Sequence, residues 1–145
     1  MEKTYIGEIR RINFLISEMD SLYHLADLRL GISDSASLAL YALYDAGGQC
    51  PLADIYKNSG ISKQTINSAI RGLEKEGLLY LAQYHGRAKK VVLTDKGNRF
   101  AQQTAARIRQ AEQDAFASWT EEEVCTHIRL LEKYTECFRR EIEKL

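Results

Sequence analysis

At 145 residues and 45% hydrophobic content the chain can bury a core without disulfides or metals, and no run of about 18 apolar residues offers a membrane span. Twenty basic and twenty acidic residues cancel to a net charge of zero, which excludes a uniformly basic coat and leaves only local charge to matter. Cys50, Cys125 and Cys137 stand far apart, with no Cys-x-x-Cys and no paired histidines, so a zinc knuckle or disulfide framework is not expected and each is expected to pack as a small apolar residue.

The opening residues lack a basic-then-apolar leader pattern, so a soluble, cytoplasmic protein is expected. From Tyr5 to about Leu28, Ile6, Ile9, Ile12, Ile16, Met19, Tyr23 and Ala26 recur at the three-and-four spacing of one helical stripe, and Phe14, Leu15, Leu22 and Leu25 widen it. So broad an apolar face predicts cover from more than one neighbour, a second chain among them. Gly31 is a suitable stop. Ser33 or Asp34 then caps a helix from Ala36 to Ala46 that is apolar almost all round, so it is expected to lie centrally and to end at Gly47-Gly48. Gln49-Cys50 is placed to pair as a minimal strand with a later hairpin.

Pro51 suits a first helical turn, and Leu52, Ile55 and Tyr56 give a one-sided apolar face through about Asn58. Ser59-Gly60-Ile61 is a turn, and Ser62 caps a second helix that runs to about Glu76, which together make a helix-turn-helix. Ile66, Ala69, Ile70 and Leu73 form its inward stripe. The opposite face shows Lys63, Gln64, Asn67, Ser68 and Arg71, side chains of the kind that read base edges in the major groove: Asn or Gln on adenine, Arg or Lys on guanine. An ordinary solvated face is the competing reading.

Gly77 closes that helix, Leu78 to Tyr84 is rich in strand formers, His85-Gly86-Arg87-Ala88 makes a turn, and Lys89 to Leu93 returns. Beside a recognition helix, such a wing can put Arg87 into the minor groove and Lys89 and Lys90 against phosphates, though lysines also protect sheet edges. Between Ile61 and Phe100 eight basic residues face three acidic ones, a local net of +5 that leaves −5 on the rest.

Thr94 or Asp95 caps one long helix through about Ser118, and Trp119-Thr120 interrupts it. Thr120 to Glu123 is a capping box. Val124, Ile128, Leu131, Thr135, Phe138, Ile142 and Leu145 then alternate by four and three, a narrow coiled-coil-like seam. Pairing with a second copy would cover the seam and the first helix, and would set two recognition helices about one DNA turn, roughly 34 Å, apart on a pseudo-palindromic site. An intrachain helix cluster is the alternative.

The order of elements, with Ser-Gly-Ile-Ser-Lys-Gln-Thr-Ile-Asn from Ser59, Leu-Glu-Lys-Glu-Gly-Leu from Leu73 and Gly-Arg-Ala-Lys-Lys-Val-Val-Leu-Thr-Asp-Lys-Gly from Gly86, resembles the MarR family of bacterial transcriptional regulators over nearly the whole chain. The resemblance implies a mainly α fold with a small β-hairpin wing: a winged helix-turn-helix over 33–97, flanked by dimerisation helices over 1–31 and 98–145. It implies a homodimer on double-stranded DNA, usually a repressor, released by a small-molecule effector or an oxidant, with no enzymatic activity, cofactor, metal or membrane. The DNA-contacting residues would be Ser62, Lys63, Gln64, Thr65, Asn67, Ser68 and Arg71 on the helix and Arg87, Lys89 and Lys90 on the wing. Where the family commonly has Asp-Arg-Arg at the wing tip, this chain has His85-Gly86-Arg87 and lacks the orienting acid. Tyr23, His24, Tyr41 and Tyr44 are the effector-site candidates near the junction of the first helix and the winged unit. The rival function is a winged helix that docks an acidic protein without specific DNA binding.

Overall fold

The computed structural model describes residues 2–145. In chain order these form α1 (Ile6–Leu30), α2 (Asp34–Asp45), β1 (Gln49–Pro51), α3 (Leu52–Ser59), α4 (Lys63–Lys75), β2 (Leu79–Gln83), β3 (Lys89–Leu93), α5 (Asp95–Gln103), α6 (Ala105–Ala115) and α7 (Glu121–Ile142). The chain divides into two units, one up to Ile108 and the other from Arg109 to Leu145.

In the first unit α2 is the hub, as its nearly all-round apolar surface predicts. Ala39, Leu40 and Leu43 are fully buried among Ile55 of α3, Ile66, Ile70 and Leu73 of α4, Leu79, Val91, Leu93 and Ala101. Each large aliphatic side chain removed from water in this way contributes roughly 1.5 to 3 kcal/mol. The ends of α2 follow the sequence: Ser33 Oγ accepts from Ala36 N, and Gly47 and Gly48 both take positive φ.

The three-stranded antiparallel sheet has the order β1-β3-β2. Cys50 stands opposite Val91, and Leu79 to Gln83 run opposite Leu93 to Lys89, so β3 is bonded on both sides. Pro51 ends the edge strand β1, where its missing N–H costs nothing, and α3 begins one residue later. Cys50 is buried as expected. Cys125 and Cys137 are not: both are exposed on α7, since their positions fall off any packed face of the described chain.

Two further differences concern helices. The single helix expected from Thr94 to about Ser118 is broken at Thr104, whose backbone leaves the helical region at φ −125°, ψ −83°. Thr104 is buried, and its hydroxyl donates to Phe100 O at 2.9 Å, giving the side chain an internal partner inside an apolar layer. Along α1, which Gly31 closes at φ 72°, the broad apolar face is left open: Ile6, Ile9, Ile12, Phe14, Leu15, Ile16, Met19, Leu22, Leu25 and Leu28 are each 40% or more exposed.

The last turns of α1 carry a buried carboxyl. Asp27 is 5% exposed, and its Oδ1 has no hydrogen-bond partner. Burial, the largest cause, pushes its pKa above the ordinary carboxylate value, whereas the bond from His24 Nδ1, at 2.8 Å, holds exposed Asp34 below it. A raised carboxyl pKa means that folding is unpenalised below the ordinary value, loses stability as pH rises from there, and carries the full penalty above the folded value. Asp27→Asn should therefore raise the melting temperature at neutral pH, by an effect on the order of 1 kcal/mol, and have no such effect in acid. An unchanged or lower melting point at neutral pH would mean that Oδ1 is partnered.

In the second unit Thr120 and Glu123 form the expected capping box, with Thr120 Oγ1 accepting from Glu123 N at 3.1 Å and Glu123 Oε1 accepting from Thr120 N at 2.9 Å. Trp119 packs edge-on against Phe116 and His127, at ring separations of 4.9 and 5.5 Å. The four-three seam of α7 is largely uncovered: Val124 is half-buried, and Ile128, Leu131, Phe138 and Ile142 are each about half exposed.

Candidate nucleic-acid interface

The sequence from Pro51 to Gly97 sets the orientation of α4 and its outer face because three short-range devices agree. Gly60 takes φ 67° and turns the chain sharply from α3 into α4. Ser62 Oγ accepts from Thr65 N at 3.2 Å and lies 2.9 Å from Thr65 Oγ1, so two of the candidate contact residues are also the N-cap of α4. Ile66, Ile70 and Leu73 then fix the rotation of the helix by burying one stripe.

Rotation about that stripe leaves Lys63, Gln64, Ser68 and Arg71 exposed. Ser68 turns its hydroxyl back to Gln64 O at 3.0 Å. Asn67 departs from the expected free face. It is half-buried, and its Oδ1 accepts a hydrogen bond from Tyr56 Oη of α3, while the same tyrosine ring carries Lys63 Nζ 5.6 Å from its centroid. Helical spacing alone gives Tyr56 only as apolar packing. The signal was its hydroxyl, at the end of α3 that faces the incoming helix.

The hairpin is closed by its own groups. Gln83 Nε2 donates to Gly86 O at 3.1 Å, Ala88 N to His85 O at 2.8 Å, and the Tyr84 and His85 rings lie 4.2 Å apart. These contacts hold the turn in a chain without an acid at its tip. Arg87 and Lys89 are exposed and Lys90 is half-buried on the central strand. Among the described residues none of Lys63, Arg71, Arg87, Lys89 and Lys90 is in an ion pair, so their charge is available to an anionic partner.

The wing's inner end is fastened by Thr94, Lys96 and Gly97. Thr94 Oγ1 donates to Gly77 O at 2.6 Å and accepts from Gly97 N at 3.0 Å, and Lys96 Nζ donates to Glu76 O at 2.7 Å. Thus the C-terminal end of α4, the start of β2 and the cap of α5 are one knot.

The four effector-site candidates stand at different places. Tyr41 lines a groove of about 300 Å³ with Leu38, Asp45, Cys50, Asp54 and Asn58, and Tyr23, His24 and Tyr44 do not line it. Tyr23 is exposed on α1, His24 is bonded to Asp34, and Tyr44 is packed half-buried against the core. Burial and the carboxylate of Asp54 push the Cys50 thiol pKa up, which disfavours its thiolate. No group of three or more metal-ligating side chains occurs among the described residues, and no helix there is long and apolar enough to cross a membrane.

Residues 30–88 match the model of the MarR family. Across its length the chain has the fold of a MarR family regulator from Neisseria meningitidis, with a TM-score of 0.79, 18% identity and 99% of each chain covered. A MarR family transcriptional regulator from Listeria monocytogenes, complexed with a 26mer DNA, matches with a TM-score of 0.70 at 20% identity over 97% of this chain and 92% of that one. The PcaV transcriptional regulator from Streptomyces coelicolor, in complex with its natural ligand, gives 0.66 at 19% identity over 94% and 98%. No curated protein matches the sequence.

Proposed function

We propose that this chain is a homodimeric regulator of the MarR family that binds a pseudo-palindromic DNA site. In this reading α4 enters the major groove with Gln64 and Arg71 reading base edges, and the β2-β3 hairpin places Arg87 at the minor groove. Lys63, Lys89, Lys90 and the Ser62 and Thr65 hydroxyls meet the backbone. The observation that carries it is the row of cations on α4 and the hairpin that have no ion-pair partner among the described residues, on a chain whose total charge is zero. A solvated face of no function would be expected to interleave acids with these cations, as the i,i+4 pair Glu136 and Arg140 does on α7.

The uncovered apolar stripes of α1 and α7 support self-association, and a second copy is the partner whose surface is complementary by symmetry. A small-molecule effector belongs to the same proposal, since the PcaV relative holds its natural ligand. Repression is the expected sign of regulation, in the cytoplasm, and no catalytic role is assigned to any residue.

Fluorescence anisotropy against an inverted-repeat duplex tests the reading. With three lysines per protomer on the backbone, six in the dimer, affinity should fall about a thousandfold between roughly 50 and 200 mM salt. Arg71→Ala should cost about 1 to 3 kcal/mol on the preferred site and relax preference at one base position. Absence of binding at low salt to both the neighbouring intergenic DNA and random duplex would overturn it in favour of a protein-docking winged helix.

A further inference from the structure

An asparagine reads adenine by offering its carboxamide oxygen to N6–H and its amide N–H to N7, which requires both atoms to face the base edge. In this structure Asn67 Oδ1 is turned towards α3 and accepts from Tyr56 Oη. The amide nitrogen is the opposite end of the same planar group, so the end left for the groove carries two donors and no acceptor.

We propose that Tyr56 is a specificity-setting residue: by drawing Oδ1 towards α3 it leaves Asn67 to present its amide N–H groups to the groove, so that the base met by Asn67 is ranked guanine first and cytosine last. The inference rests on the DNA-reading role of α4 proposed above. Guanine offers two acceptors, N7 and O6, to the two amide hydrogens. Adenine and thymine each offer one, and cytosine offers a donor that opposes them.

Tyr56 is well placed to impose this. It packs half-buried against the core, and its own carbonyl accepts from Ser59 Oγ at 3.2 Å in the turn that launches α4. Ser59 Oγ in turn accepts from Ile61 N at 3.3 Å, so the tyrosine is registered to the turn. Its ring also supports Lys63 Nζ. Phenylalanine at this position would keep the ring, the packing and the Lys63 contact and remove only the hydroxyl, so Tyr56→Phe isolates the hydrogen bond.

The test is selection from randomised duplexes with the full-length chain, followed by anisotropy on four duplexes that differ at one position, for wild type, Asn67→Ala and Tyr56→Phe. Asn67→Ala should flatten preference at one position of each half-site. At that position wild type should rank guanine first, and Tyr56→Phe should move preference towards adenine by about tenfold, leaving other positions and binding to random duplex as they were. Adenine ranked first by wild type there, no position flattened by Asn67→Ala, or a ranking unmoved by Tyr56→Phe would each overturn this inference while leaving DNA reading intact. A wild-type chain that selects no sequence would overturn both. If Tyr56→Phe does not fold, as judged by circular dichroism, the wild-type ranking at the Asn67-dependent position decides alone.

Discussion

Gly97→Ala should unfold the winged helix at temperatures where the natural chain is folded. A Cβ built at Gly97 would lie 1.7 Å from the carbonyl oxygen of Leu78 and 2.8 Å from its carbonyl carbon, and the obstacle is backbone, not the free end of a side chain. That carbonyl is held in place, since it accepts from Thr94 N at 3.1 Å and belongs to a residue only 3% exposed. Either α5 or the start of β2 must move, which also pulls on the bonds from Thr94 and Lys96 to the end of α4. Overpacking against a rigid neighbour of this kind costs about 3 kcal/mol or more. In a domain of this size that lowers the melting temperature by roughly 10 °C. Gly72→Ala is the control: nothing lies within 4 Å of its Cβ, and the change in a helix interior should stabilise by about 0.5 to 1 kcal/mol. Equal melting points for the two variants in a calorimetric scan would refute the steric account.

Leu131→Glu should abolish the proposed dimer. Leu131 sits mid-seam on α7, 54% exposed, between Ile128 and the Phe138 ring that stacks on Tyr134 at 5.6 Å. Across a two-fold axis the substitution would bring two carboxylates into an apolar contact, and neither has a partner there to offset its desolvation. Light scattering at micromolar concentration should then give the monomer mass. Binding to an inverted repeat should fall at least a hundredfold, towards the half-site value, because two linked heads become one. A dimer mass retained by the variant would remove the seam from the interface.

The fold was legible wherever a local signal sufficed. Ser33, Ser62, Thr94 and Thr120 announce helix starts by their hydroxyls, and each accepts the backbone N–H that a cap should. Gly31, Gly60 and Gly77 mark reversals and each takes positive φ. The break at Thr104 was hidden, because the stripe of Phe100, Thr104 and Ile108 continues across it and only the buried hydroxyl argues for a change of course. Asn67 was hidden differently: helical spacing assigns it to the outer face, but a tyrosine eleven residues earlier claims its oxygen, a tertiary contact that periodicity does not carry. Gly97 was legible as part of a motif but not as a necessity, which rests on the closeness of Leu78. Cys125 and Cys137 were misjudged for the same reason, since packing was assumed on a helix that the described chain leaves open.

The place of β3 in the middle of the sheet has a mechanical consequence. Its one neighbour, β2, completes the hairpin, and the other, β1, is the last stretch of chain before α3 and α4, with Leu93 N bonded to Gly48 O at 2.8 Å just beyond the paired residues. The hairpin is therefore riveted to the strand that leads into α3 and α4. A push applied at the α2 end of that strand would carry wing and helix together as one rigid jaw. Control of DNA binding through this unit would then act by aiming the jaw, and the grip between its two teeth would stay constant.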